Sequence, residues 1–159
     1  VAPYLGAAGG VAPYLLTNAI EQGDAAGALE VLHRLLSARG PQQPKPMHPL
    51  QVLGMLHNHF RRVARLDDAA VRTTDDAVAA LGGRVKPFPA RKAREQAQRL
   101  GTEGIREAYA LLAQADLDLK GARALPAEAV LEVLVTRLAV LSARAAPRAG
   151  AVGRRTARR

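Results

Sequence analysis

Aliphatic residues recur every three to four positions in most stretches of this chain that lie between one glycine or proline and the next. Leu29, Leu32, Leu35 and Leu36 do so ahead of Gly40, Leu53, Leu56, Phe60 and Val63 after Pro49, and Leu131, Leu134, Leu138 and Leu141 after Pro126. That period gathers them on one side of a helix, whereas a half-buried strand alternates at every second residue. The run EVLVTRLAVL is Val-rich enough to pass for a strand, but it is too long for one and its leucines keep the helical period. Composition points the same way. Two Phe, three Tyr and no Trp leave a hydrophobic fraction of 48% that is almost wholly aliphatic, which suits packed helices better than the aromatic and β-branched surfaces of a barrel or sandwich.

The punctuation predicts about seven helices. Pro13 fits the first turn of a short helix ending at Gly23, because the N–H it lacks would be unpaired there anyway. Asp24 caps the second helix and Gly40 stops it. Residues 41–46 hold three prolines and read as an exposed loop before the helix that starts at Pro49. Thr74, followed by Asp75 and Asp76, reads as the capped and dipole-matched start of a short helix closed by Gly82 and Gly83. A basic helix begins at Pro89. Thr102 caps the next, with Ile105, Ala108, Leu112, Ala115 and Leu119 on its apolar side and Gly121 at its end, and the last begins at Pro126. The expected architecture is an all-α, orthogonal or bundled domain over residues 13–143. A linker or remnant of a preceding domain at 1–12 and a disordered Arg-rich tail at 144–159 would flank it. The pentapeptide VAPYL occurs at 1–5 and again at 11–15, too close together for a solenoid repeat.

The formal charge of +9 is unevenly placed: six arginines and no acid lie from Arg144 onward, so everything before them carries only +3. The absence of Cys excludes a disulfide framework and thiolate chemistry and fits a reducing cytoplasm. No stretch nears the ~20 apolar residues of a membrane span, and the opening VAPYLGAAGG lacks the basic region of a signal peptide. A cytoplasmic protein without membrane contact is expected. The start without Met reads as a piece of a longer protein.

Sites for chemistry are scarce. His48, His57 and His59 fall in one loop–helix junction, but His57 and His59 are two residues apart and diverge by roughly 200° on a helix, with no acid or Cys nearby to complete a ligand set. They read as partly exposed helix histidines. Asp116 and Asp118 diverge in the same way, and Asp116 forms an i,i+4 pair with Lys120, which reads as a solvated face. There is no phosphate-binding Walker loop, no nucleophile elbow and no dinucleotide fingerprint. No catalytic residue, cofactor or metal is therefore expected. The candidates for nucleic acid are Arg84, Lys86, Arg91, Lys92, Arg94 and Arg99, on a basic helix that a glycine-containing turn joins to a short helix, much as in a helix-turn-helix. Against an autonomous DNA-binding protein, the turn LGGRVKPFP is long and interrupted by two prolines, and no Asn or Ser cluster is present to read base edges. Nonspecific backbone contact and a simply solvated face are the other readings of these cations.

Several segments, in order, resemble the delta subunit of the bacterial DNA polymerase III clamp loader. AIEQGDAAGALEVLHRLL is similar to the first helices of its C-terminal collar, and HPLQVLGMLHNHFRRVARL to the long helix that follows. FPARKAREQAQRLGTEGIREAYALLAQADLDLKG carries the most specific likeness, a helix opened by proline, an aromatic and Lys-Ala and then one ending in an acid-rich ADLDLK-like signature. The likeness extends from about residue 1 to 142. It implies a helical oligomerisation module of an AAA+ assembly that loads the sliding clamp onto primed DNA. The partners it implies are the gamma/tau ATPase and delta-prime, with primer-template DNA held by the whole assembly and the sliding clamp touched only through an N-terminal domain. A collar region taken by itself would neither open a clamp nor bind ATP.

Overall fold

The computed structural model describes residues 11–37 and 45–146. The first VAPYL copy, most of the proline-rich stretch and the arginines beyond residue 146 lie outside the described residues. Within them are six helices and no strand. These are α1 (Tyr14–Glu21), α2 (Ala25–Ser37), α3 (Pro49–Arg65), α4 (Thr74–Ala80), α5 (Pro87–Leu119) and α6 (Ala127–Ala145). None is long and apolar enough to cross a membrane.

The chain's polar punctuation sets the helix starts. The Asp24 carboxylate accepts from the Gly27 N–H at 2.9 Å and opens α2. At α3, His48 takes the capping position. Its Nδ1 accepts from the Leu50 N–H at 3.1 Å while the Gln51 amide oxygen accepts from the His48 N–H at 2.9 Å, and Pro49 follows in the first turn. At α4 the cap is Thr73 rather than Thr74. The Thr73 hydroxyl accepts from the Asp76 N–H, and the Asp76 carboxylate accepts from the backbone of Thr73 and Arg72. Those backbone bonds hold the Asp76 carboxyl below its usual range.

The two helices expected from Pro89 and Thr102 are one element that starts at Pro87 and breaks at Gly101, where φ is 64° and ψ is 177°. This left-side extended geometry is open essentially to glycine alone. The Thr102 hydroxyl donates to the Asp67 carboxylate at 2.7 Å instead of capping its own helix, and so ties the break to the loop after α3. At the other end α6 passes residue 143, the expected domain edge, to Ala145, and the Arg144 guanidinium donates to Glu107 at 2.8 Å.

Helix α6 lies at the centre. It packs against α5, α2 and α1 and touches α3, while α5 packs on α3 and α4 as well. Contact on several sides explains why α6 buries Val130, Leu131, Leu134, Val135, Leu138, Ala139, Leu141 and Ser142, far more than one stripe. Phe60, Leu16, Ile20, Leu32, Leu56 and Leu112 complete a continuous core. The α1–α2 turn presses on α6 so closely that a Cβ on Gly23 would lie 2.7 Å from that of Ala143.

A side chain at Gly101 would meet no neighbouring atom, so Gly101→Ala tests the backbone geometry alone. The substitution should lower unfolding stability by about 1–3 kcal/mol, read from the shift in urea midpoint at unchanged slope. An unshifted midpoint would mean that the break relaxes into a continuous helix at no cost.

Candidate functional site

The first half of α5, residues 87–100, is the basic helix, and its cations fan out to different partners. Lys92 Nζ donates to the Asn18 side chain at 2.8 Å and lies 3.8 Å from Glu21, and Arg99 donates to Glu21 at 3.2 Å. Both partners are on α1. The Glu21 side chain is only 9% exposed, and this burial raises its pKa even though Lys92 and Arg99 pull the other way. Drawing both cations away would leave a nearly buried carboxylate unpaired, a change that costs about 3–5 kcal/mol for a fully buried pair. Arg94 donates to the Arg72 carbonyl at 3.0 Å, and its Nε is buried without a partner. Arg91 pairs loosely with Glu95 and sits 5.6 Å from the Phe88 ring centroid, with Lys92 at 5.8 Å from the same ring.

Of the six cations expected to meet nucleic acid, only Arg84 and Lys86 have side chains that bond to nothing among the described residues. Both are exposed in the turn before α5. That turn runs from Leu81 to Lys86 between α4 and α5, longer than the three or four residues of a helix-turn-helix. The last turns of α3 add Arg61, Arg62 and Arg65, all exposed and equally without a partner among the described residues. Arg62 and Val85 line a cleft of about 350 Å³, together with Tyr14, Asn18, Glu21, His59, Phe88 and Lys92. Of these unpartnered cations Arg62 lines the depression, and Arg84 and Lys86 flank its Val85 in sequence.

His59 lies at the back of this cleft. Its Nε2 is 2.8 Å from the Gln96 side-chain oxygen, so the neutral ring donates from Nε2, and burial lowers its pKa from 6.5 to about 4. The Gln96 amide nitrogen is buried without a partner. His59 is therefore a bridge from α3 to α5. His48 is the α3 cap, and His57 is half-buried. Asp116 and Asp118 part as expected, but only Asp116 is on a solvated face, 2.8 Å from Lys120. Asp118 is buried. It accepts from Gln114 and from both Nε and a terminal nitrogen of Arg123, whose guanidinium holds its carboxyl below the usual range.

The second half of α5 and α6 enclose a groove of about 250 Å³ lined by Leu111, Gln114, Asp118, Leu125, Val133 and Arg137. Val133, Arg137, Val140 and Arg144 follow one another at spacings of four, three and four, and make the outward stripe of α6. Val133 is 50% exposed, Val140 47%, Leu125 45% and Leu117, on the facing helix, 54%.

The family described as DNA polymerase III delta subunit, C-terminal domain, matches residues 13–138. The chain belongs to that family. No curated protein and no solved structure matches it. The match begins at the proline before α1 and ends in α6, so it takes in all six helices. A part in clamp loading during DNA replication follows for this delta C-terminal domain, and its role there is non-catalytic.

Several residues of consequence in the delta domain escaped the sequence reading. Glu21 is a lone acid on a short helix, and only the fold shows that it receives Lys92 and Arg99. Gln96 is unremarkable in a basic helix until His59 is set against it. For Val133 and Val140 a signal did exist, their seven-residue spacing, but the leucines beside them masked it.

The His59 bridge fixes a pH dependence. Between pH 6.5 and about 4 the unfolded imidazole takes up a proton that the folded one refuses, so stability falls as pH drops through that window. The loss should approach about 3 kcal/mol, at 1.36 kcal/mol per pH unit, and level off below pH 4. Glu21 acts in the opposite sense, because its raised pKa favours the fold towards acid. Urea unfolding of the native chain and of His59→Gln from pH 7.5 to 4 separates the two. The native curve should fall relative to the variant, whereas parallel curves would show that His59 titrates normally.

Proposed function

We propose that this domain works as the collar module of a clamp-loader delta subunit in the cytoplasm, held in a DNA polymerase III assembly by contacts with the ATPase subunit and delta-prime. The observation that carries the reading is the apolar surface on α5 and α6. Val133 and Leu125 line its groove about half exposed, and Val140 on α6 and Leu117 on α5 add two more exposed aliphatic side chains. A surface of this kind, rimmed by polar groups, is what a subunit contact covers. The exposed positions of α3 are mainly polar or basic, apart from Leu50, so the apolar contact falls to α6.

The basic residues support the same division. Four of the six candidate cations already bond within the chain, which leaves Arg84 and Lys86, with Arg61, Arg62 and Arg65, for DNA held by the assembled loader. Such contacts would be to phosphate and would weaken steeply with salt.

Val133→Arg places a charge in the middle of the apolar surface without disturbing the buried side of α6. Native mass spectrometry of the chain mixed with its ATPase and delta-prime partners should show a defined complex. The variant should bind with about 2 kcal/mol less free energy, close to 30-fold more weakly, while its circular dichroism and urea midpoint stay those of the native chain. Native-like assembly by the variant would exclude this surface, and a native chain that binds duplex DNA but no partner would overturn the collar reading.

A further inference from the structure

His33 of α2 and Glu128 and Glu132 of α6 each offer a donor atom, and the three atoms lie within 4.8 Å of one another. His33 Nε2 is 3.4 Å from a Glu132 oxygen and 3.9 Å from a Glu128 oxygen. We propose that these three side chains form a divalent transition-metal site, suited to Zn²⁺, that clamps α2 to α6. It is independent of the collar reading.

The geometry points to an ion. Donors at about 2.0–2.2 Å from a tetrahedral ion stand about 3.4 Å apart, close to the distances already present. Glu128 and Glu132 are separated by four residues and therefore share one face of α6. The helix carrying His33 packs directly on α6, so the ligands come from two elements that the core already holds together. All three side chains are 41–61% exposed, which leaves a fourth position for water.

The electrostatics agree. In a chain of net charge +9, Glu21, Glu95, Glu103, Glu107, Asp116 and Asp118 each have a Lys or Arg partner. Glu128 and Glu132, like Asp24, Glu30, Asp67, Asp68 and Asp75, have none among the described residues, but they alone share an imidazole, His33, as their ionic neighbour. Two uncompensated carboxylates beside an imidazole match a dication. One nitrogen and two oxygen donors favour Zn²⁺ and its first-row neighbours over Ca²⁺ and Mg²⁺, which take oxygen almost exclusively.

The test is calorimetric titration of the full chain, free of any affinity tag, with Zn²⁺ at pH 7.5, followed by Co²⁺ absorption spectroscopy. A single saturable site is expected, with the visible bands of a four-coordinate Co²⁺ ion and a melting temperature that rises with Zn²⁺. His33→Gln and Glu132→Gln should each weaken binding on the order of tenfold or more and abolish the Co²⁺ bands. His57→Gln should leave both unchanged. These surface substitutions spare the core, so loss of binding in a variant that melts like the metal-free native chain is loss of a ligand. Absence of saturable binding in the native chain, or equal binding by His33→Gln, would overturn the proposal and leave the three residues as ordinary ion pairs.

Discussion

Burial of α6 on several sides at once is the constraint on which the rest of the fold depends. A helix that packs on one neighbour needs a single apolar stripe, but α6 meets α1, α2, α5 and part of α3 and gives about half of its circumference to the core. Each neighbour then has to reach it at close range. The α1–α2 turn does so through Gly23, which lies against Ala143 with no room for a side chain. Helix α5 does so by breaking at Gly101, which lets its first half stay on α3 and α4 while its second half turns along α6. The bend in α5 and the tight turn at Gly23 are both consequences of seating one central helix.

The same arrangement decides what the charge can do. A count of +9 suggests a nucleic-acid binder, yet two of the α5 cations, Lys92 and Arg99, turn to α1, where Asn18 and Glu21 receive them. A surface ion pair is worth little, but Glu21 is nearly buried, and its desolvation makes these two cations structural. Among the described residues, the cations left over for other molecules are Arg84 and Lys86 in the turn, Arg61, Arg62 and Arg65 at the end of α3, and Arg34, Lys45 and Arg137 elsewhere. Net charge measures how much cation the chain carries. The fold determines how much of it remains uncommitted.

Much of this was legible in sequence wherever the information is local. The leucine period gave the helix type, and glycine, proline and Asp24 marked the ends to within a residue or two, because capping depends on groups only a few positions apart. Where expectation and structure part, two local signals competed. Thr73 and Thr74 are both able to cap, and Thr73 wins because Asp76 stands three residues on. Asp118 was read as solvated along with Asp116, which pairs with Lys120, but its register puts it on the buried side, where Arg123 meets it from the following turn. The long-range pairs were not legible at all. His59 with Gln96, Glu21 with Arg99 and His33 with Glu132 join residues whose separations only the tertiary fold determines.

The core side of α6 and its two proposed surfaces can be separated by their position around its axis. The broad side holding Leu131, Leu134 and Leu138 belongs to the core. Glu128 and Glu132 lie where α2 comes alongside, and Val133 and Val140 lie where no element of this domain covers them. A helix advances about 100° per residue, so Glu132 and Val133 are neighbours in sequence but look out over different ground. A change at one can therefore be made without disturbing the other, and both rest on a backbone that the core holds rigid. That rigidity is useful to an assembly module. Side chains fixed by a buried helix lose little further freedom when a partner covers them, so in the proposed assembly more of the apolar burial on α5 and α6 would go into holding the complex together.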